Sequence, residues 1–144
     1  MLERYFDELK VGDRTISRGR TITEADLVMF SAFTGDWYPL HTDKEYAAQT
    51  MFGQRIAHGL LVLSVASGLA RMDPGVVVAF YGMDKVRFTA PTFIGDTIRV
   101  EAEVVEKSDK GAFGVVTIKQ EIKNQRNEVC NTAFIKVALN KKAQ

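Results

Sequence analysis

The stretch that decides the fold is HGLLVLSVASGLAR, residues 58–71. Apolar side chains cover almost the full circumference of the helix that this stretch would form, and its interior polar side chains are only Ser64 and Ser67. A helix of this kind is buried on most sides. It would be about 20 Å long, at roughly 1.5 Å per residue, which is too short to cross a bilayer. The turn sequence Asp73-Pro74-Gly75 ends it.

Beyond Gly75 the period of the apolar pattern changes from that of a helix to two residues, the period of a β-strand. Hairpin-type turn sequences occur at 108–111 and 124–127, and short turns between consecutive strands favour antiparallel pairing. The sequence therefore predicts an α+β domain in which an antiparallel sheet wraps around the long buried helix. The predicted strand segments are 76–83, 85–90, 98–104, 116–122 and 129–139, with a further one within 11–22.

Length and composition limit the possible classes of protein. The chain has 144 residues, 46% of them hydrophobic and 26% charged, which is typical of one globular domain spanning 1–144. The formal net charge of +1 gives no overall field that would attract nucleic acid. The single cysteine, Cys130, cannot form an internal disulfide, and the Cys and His spacing matches no metal motif. The N-terminal segment is too charged for a signal peptide, so we expect a cytoplasmic protein without a membrane segment.

A second helix is predicted upstream, over 22–33. Thr23 can cap its start, with Asp26 as the reciprocal capping-box partner, and Gly35 can end it. A shorter helix is predicted over 44–49. Apolar residues of the longer helix fall on one face, at positions i, i+3, i+4, i+7 and i+8; they are Ala25, Val28, Met29, Ala32 and Phe33.

The segment between these helices, GDWYPLHTD at 35–43, places one of only two histidines close to a carboxylate. Its glycine, proline and aspartates predict a loop, although the loop is more apolar than one that only faces water. Taken singly, Asp36 is typical of a turn, and His41 of a histidine bonded to a backbone carbonyl. Together, on a loop stiffened by Pro39, they could face one cavity, position a water molecule and move its proton.

The start of the buried helix carries a second candidate feature. The first N–H groups of a helix have no partner within it, and the helix dipole makes that end positive. Gly59 would let a ligand oxygen approach its N–H, as in an oxyanion site, although a helix entry that simply needs a small residue is an equal interpretation. Ser67 lies eight residues further on nearly the same side. Its hydroxyl could support the site or bond back to a carbonyl one turn earlier.

Three segments resemble the MaoC-like dehydratase family, which includes R-specific enoyl-CoA hydratases. They are FSAFTGDWYPLHTDKEYA at 30–47, RIAHGLLVLSVASGL at 55–69 and FTAPTFIGDTIRVEAEV at 88–104. The family carries a loop of the form G-D-x-N-P-L-H and then a hydrophobic helix that opens with H-G. This sequence matches both motifs in type and spacing, except that Tyr38 stands where the family has asparagine.

The resemblance implies a hot-dog fold and the reversible addition of water across a 2-enoyl thioester, which gives the R-3-hydroxyacyl thioester. Asp36 and His41 would be the catalytic pair, and the Gly59 N–H would bind the thioester carbonyl. The thioester, of coenzyme A or acyl carrier protein, would enter between the subunits of a homodimer or larger homo-oligomer with joined sheets. No metal or other cofactor is implied. The further substrate-binding residues implied are Ser67, Tyr38, Leu40 and His58.

Two other functions are compatible with the same helix and sheet. A hot-dog acyl-CoA thioesterase would commonly carry a catalytic Asp or Glu on or near the central helix, and residues 59–70 contain neither. A non-catalytic module that binds an acyl thioester or stabilises a partner subunit would have no need for Asp36 together with His41. The pair therefore favours a hydratase.

Overall fold

A six-stranded antiparallel sheet and one apolar helix form the core of the computed structural model, which describes residues 1–143. The last residue of the predicted domain, Gln144, lies outside the described residues. The strands are β1 (Arg14–Ile16), β2 (Arg20–Thr21), β3 (Val77–Phe88), β4 (Thr97–Asp109), β5 (Phe113–Lys123) and β6 (Val129–Asn140). The helices are α1 (Glu24–Thr34), α2 (Pro39–Thr42), α3 (Lys44–Ala48) and α4 (Gly59–Leu69). The strand order is β1-β4-β5-β6-β3, and β2 pairs separately with β4.

The antiparallel pairing predicted from the turn sequences is confirmed, since β4, β5 and β6 are joined as consecutive hairpins. Residues with positive φ stand in both turns, Gly111 at 83° and Asn127 at 63°, as tight hairpin turns require. The two strand segments predicted at 76–83 and 85–90 are one strand, β3. Its pairing with β6 shifts register between Asp84 and Arg87, because Lys85 adopts a φ of 50° there and forms an irregularity in the strand.

Helix α4 packs one side on the sheet, where Leu61, Val62 and Ala66 join Ile98 and Val100 of β4 in one apolar cluster. It ends before the predicted turn at 73–75. The expectation that the helix is buried on most sides is wrong for one side. The sheet of a single chain covers only the inner face of the helix, and the outer face is exposed; its residues are Leu60, Ser64, Ser67 and Gly68.

Helix α1 begins and ends as predicted. Thr23 and Asp26 form the capping box, and Gly35 ends the helix in the left-handed conformation with its N–H donating to the Ser31 carbonyl. The predicted apolar face is wrong, because Met29 and Phe33 are 69% and 89% exposed. The buried positions are Leu27 and Ser31. Leu27, partly buried Phe30 and Ser31 also fit helical spacing, so periodicity alone could not choose between the two faces.

The segment predicted as a loop at 35–43 is irregular only at its start, and Pro39–Thr42 forms the single turn α2. Proline suits this first helical position, because its missing N–H would have no helical partner there. The predicted short helix at 44–49 is confirmed as α3, and its start is capped by the Asp43 carboxylate. In the part of the chain that the structure describes, every helix is too short or too polar to cross a bilayer.

Candidate active site

The loop after α1 holds Asp36 at the surface with its carboxylate free to one side. The Asp36 N–H donates to the Thr34 hydroxyl at 3.2 Å, and one carboxylate oxygen accepts the Tyr38 N–H at 3.2 Å. Asp36 therefore does form the turn contact typical of an isolated aspartate. Its second oxygen remains available for other partners.

The ring of His41 is fixed from α2 by one short hydrogen bond, with Nδ1 2.7 Å from the Ile56 carbonyl oxygen. A carbonyl oxygen only accepts, so Nδ1 carries the hydrogen and donates it. In the neutral ring the lone pair then lies on Nε2. His41 thus presents a proton acceptor on the side of the ring away from Ile56, as a general base requires.

The structure brings the two predicted catalytic residues together and adds a third. One ligand atom each from Asp36, His41 and His58 lies within 4.8 Å of the other two. The carboxylate and the His41 ring are therefore near enough to contact the same small molecule. The site fits a metal ion less well, because the two imidazole rings are stacked at 3.9 Å with 26° between their planes, so their in-plane lone pairs run side by side instead of converging.

His58 lies behind His41 and is only 3% exposed. Its Nε2 is 3.1 Å from the main-chain oxygen of Asp36 and 3.1 Å from the Ser31 hydroxyl. Burial lowers the pKa of His58 below its ordinary value, since removal from water disfavours the charged ring. Of the residues predicted to bind substrate, His58 is thus the one whose side chain is enclosed by the protein, and its contact with Ser31 had no signal in the sequence.

The Gly59 N–H begins α4 directly after His58. Within residues 1–143 it makes no hydrogen bond with the protein, so it is available to an oxygen of a ligand. A side chain at this position would meet the ring of Phe88, because a Cβ there would lie 2.6 to 2.9 Å from three ring carbons. Sequence reasoning missed Phe88, since nothing in the sequence indicates that a residue 29 positions later covers the helix start.

Two further predicted residues belong to the same loop. Tyr38 is exposed, its ring meets the His41 ring edge-on at 6.2 Å, and its hydroxyl lies 3.3 Å from that of Tyr46. The Leu40 carbonyl accepts the Ile56 N–H at 3.3 Å. Because Ile56 also accepts from His41, these contacts hold α2 against the segment that leads into α4.

Ser67 lies apart from the loop, on the wall of a cavity of about 540 Å³ that opens beside the second half of α4 and is lined on its other side by the sheet. Its hydroxyl donates to the Ser64 carbonyl at 2.7 Å, which is the local bond expected for a serine within a helix. Asp36 and His41 are not among the residues that line this cavity. Its walls are mainly apolar and include Leu63, Ala66, Phe80, Met83, Ile118 and Val137.

Comparison with known proteins identifies the family. A model of the MaoC-like domain matches residues 10–126, which is most of the chain. The chain belongs to the MaoC-like domain family. Among solved structures, this MaoC-like chain is similar to a monoamine oxidase regulatory protein from Archaeoglobus, with 44% identity, a TM-score of 0.91 and coverage of 98% and 97% of the two chains. A Mycobacterium tuberculosis protein described as a double hot-dog fold matches 99% of this chain and 46% of its own, with a TM-score of 0.87 and 22% identity. The predicted hot-dog fold is confirmed.

Three curated relatives have similar sequences. Protein MaoC of Klebsiella aerogenes is 43% identical over 74% of this chain, and the 3-hydroxybutyryl-CoA dehydratase of Methylorubrum extorquens is 40% identical over 71%. The matched regions span only 32% and 64% of those proteins. The (R)-specific enoyl-CoA hydratase of Rhodospirillum rubrum is 35% identical, and the match covers 72% of each chain.

Proposed function

We propose that this MaoC-like chain, taken as a single domain over 1–144, catalyses the reversible, R-specific hydration of 2-enoyl thioesters. The observation that carries the proposal is the convergence of the Asp36 carboxylate and the His41 ring within 4.8 Å. The Gly59 N–H, which makes no hydrogen bond within residues 1–143, follows directly on His58, whose ring stacks on His41. The relatives named as (R)-specific enoyl-CoA hydratase and 3-hydroxybutyryl-CoA dehydratase support the same reaction.

The proposed reaction uses the two side chains for two proton transfers. As the oxygen of a water molecule bonds to C3 of the substrate, one water proton passes to the pair, with the free Nε2 of His41 as the acceptor that the hydrogen bond to Ile56 leaves available. The electrons of the double bond move toward the thioester oxygen, and an enolate forms. A proton is then delivered from the pair to C2, which completes the R-3-hydroxyacyl thioester and restores the enzyme.

The Gly59 N–H would stabilise the enolate oxygen. It lies at the positive end of α4, and a preorganised donor of this kind lowers an activation barrier by roughly 3 kcal/mol in oxyanion holes. Holding water, alkene and proton acceptor in contact contributes further through orientation. None of these steps calls for a metal or redox cofactor.

The acyl chain would occupy the cavity beside α4. Leu63, the first helix residue on the cavity wall, lies four residues after Gly59, or about 6 Å along the helix axis. A thioester bound at Gly59 could therefore direct its chain along the helix into this mainly apolar space. Ser67 lines the same space. The carrier would be coenzyme A or acyl carrier protein.

A homodimer or larger homo-oligomer is part of the proposal. Strand β3 lies at one end of the strand order and pairs with β6 alone among the described strands. Long, apolar edge strands are sites of pairing with another chain, and β3 exposes several large apolar side chains. These are Val78, Phe80, Tyr81, Met83 and Phe88. We also infer a cytoplasmic location, with no nucleic-acid or membrane partner, from the near-neutral charge and the single buried Cys130.

The test is to incubate the purified chain with 2-butenoyl-CoA and 2-octenoyl-CoA and to follow the absorbance of the conjugated thioester. We expect the absorbance to fall, the product to be the R-3-hydroxyacyl-CoA, and a thiol reagent to detect no free coenzyme A. Release of free coenzyme A would indicate a thioesterase instead. Tight binding without turnover would indicate a non-catalytic module.

A further inference from the structure

We propose that His58 and Ser31 act as a positioning unit, which fixes the main chain of Asp36 and one face of the His41 ring so that the two catalytic groups keep their mutual geometry. The proposal rests on the hydratase function proposed above. It gives His58 a role different from direct contact with substrate.

The first observation is the set of hydrogen bonds around His58. Its Nε2 lies 3.1 Å from the Asp36 carbonyl oxygen and 3.1 Å from the Ser31 hydroxyl oxygen. Because the carbonyl only accepts, Nε2 must carry a hydrogen. His58 therefore donates to the backbone of the very residue that supplies the proposed catalytic carboxylate. The Ser31 hydroxyl oxygen, on α1, lies close enough to accept a share of the same hydrogen.

The second observation is the stack of the two imidazoles. The His58 ring covers one face of the His41 ring at 3.9 Å, while the Ile56 carbonyl holds Nδ1 of His41 in the ring plane. One contact limits tilt and the other limits rotation. Together they leave His41 a single orientation, in which its free nitrogen lies on the side away from Ile56.

The third observation is that the positioning unit is buried even though burial of one of its nitrogen atoms lowers the stability of the fold. Ser31 is fully buried, and His58 is 3% exposed. The Nδ1 of His58 is buried without a hydrogen-bond partner within residues 1–143, and an unpaired buried polar atom lowers stability. An apolar ring would fill the same space without that cost. The presence of an imidazole here therefore points to a need for its Nε2 hydrogen bond.

The environment also disfavours the charged form of His58. The titratable groups that face it are Asp36 and His41. Desolvation outweighs the attraction of Asp36 and lowers the pKa of His58, while a second positive ring stacked on protonated His41 would be repelled. A neutral His58 leaves His41 free to gain and lose its proton during turnover.

The first test reads the tautomers directly and does not depend on activity. The chain has only two histidines, so ¹⁵N-edited imidazole spectra of the intact protein contain two ring systems. We expect one ring, His58, to be in the Nε2–H form when neutral and to have a pKa below the ordinary histidine value. We expect the other ring, His41, to be in the Nδ1–H form when neutral. The His58→Phe variant assigns the signals. A His58 ring in the Nδ1–H form, or one whose pKa is not lowered, would overturn the proposal.

The second test separates positioning from catalysis and from folding. His58→Phe keeps the stacked ring and the volume but removes the donor, and Ser31→Ala removes the hydroxyl. For His58→Phe we expect kcat to fall by about 10²-fold, the size of effect expected from misplacing a catalytic group, with little change in KM and no loss of thermal stability. Ser31→Ala should show the same pattern to a smaller extent. Thr117→Val, an isosteric change at a buried polar residue of β5, is the control and should keep the wild-type kcat.

The two tests distinguish failure of the proposed hydratase function from failure of the positioning role of His58. If the wild type shows no hydratase activity, the proposed function fails, while the tautomer measurement still decides the structural claim. If the wild type is active and folded His58→Phe retains its kcat and pH profile, the positioning role is refuted. A fall in activity that only parallels a fall in the folded fraction would also refute it.

Discussion

The contact between Gly59 and Phe88 gives a prediction whose size follows from the structure. A Cβ added at Gly59 would lie 2.6, 2.8 and 2.9 Å from three carbons of the Phe88 ring, which is closer than carbon atoms pack. The ring must move, and overpacking of this kind typically costs about 1–3 kcal/mol. Phe88 is 54% exposed and can swing outward, so we expect a cost near the lower end. Replacing a helical glycine by alanine returns up to about 1 kcal/mol.

The expected net effect of Gly59→Ala is therefore a loss of no more than about 1 kcal/mol in the free energy of unfolding. In the Phe88→Ala background the clash is absent, and the same change should be neutral or stabilising. The coupling energy between the two positions should exceed about 0.5 kcal/mol, the usual limit of additivity for independent sites. Urea unfolding of the wild type, the two single variants and the double variant measures it, at one fixed protein concentration because association would shift the midpoint.

Equal effects of Gly59→Ala in both backgrounds would refute the reasoning that Phe88 requires a glycine at the start of α4. The double variant has a second use, since it relieves the clash but keeps a methyl group beside the exposed N–H. If the double variant is stable but has a low kcat, glycine at position 59 is also needed for ligand access to the N–H. If the double variant is stable and fully active, the glycine is needed only for the packing of Phe88.

Three further predictions concern the helix cap, the cavity and the edge strand. Asp26 pairs with Arg20 and also accepts from Thr23, and these contacts hold the pKa of its carboxyl well below the ordinary value. Asp26→Asn should therefore cost about 1–2 kcal/mol at pH 7. The difference in urea midpoint should shrink below about pH 4, the range in which the unfolded carboxyl becomes protonated. A constant difference down to pH 2 would contradict this cause. Gly68 lines the cavity and has open space for a side chain. Gly68→Leu should lower kcat/KM for 2-octenoyl-CoA more than for 2-butenoyl-CoA, whereas Gly68→Ala should change kcat/KM for neither substrate. Equal losses for the two substrates would refute the proposal that the acyl chain binds in the cavity. Tyr81→Lys changes an exposed side chain of β3 that does not line the cavity. It should shift the mass measured by light scattering from dimer to monomer, and an unchanged dimer would place the interface elsewhere.

Local signals in the sequence predicted the elements of this fold well. Thr23, Asp26 and Gly35 define both ends of α1, and the structure uses all three as caps. The sequence 73–75 lies just past the end of α4, as a turn should. These signals act over a few residues, through hydrogen bonds and backbone angles that neighbouring residues determine, so they can be read without knowledge of the tertiary structure.

What the sequence could not give was the direction in which each element faces. Two sets of residues on α1 have helical spacing, and the apolar core buries the set that contains Leu27 instead of the more apolar set that contains Phe33. Likewise, the pairing of Asp36 with His41 was predictable because both lie on one short loop. The contacts of His58 with Ser31 and of Gly59 with Phe88 join residues 27 and 29 positions apart, and only the folded chain reveals them.

The measurement that tests the central claim most directly is the rate of 2-butenoyl-CoA hydration by Asp36→Asn beside the wild type, with His41→Ala in the same series. Asparagine keeps the size of the side chain and its turn contact with Tyr38, but it has neither the negative charge nor the exchangeable proton that a carboxyl group brings to the proposed pair with His41. The account predicts that kcat falls by about 10³-fold, the scale of a lost general acid–base group, while circular dichroism and oligomeric mass stay unchanged. A folded Asp36→Asn variant that hydrates the substrate at a near-normal rate would contradict it.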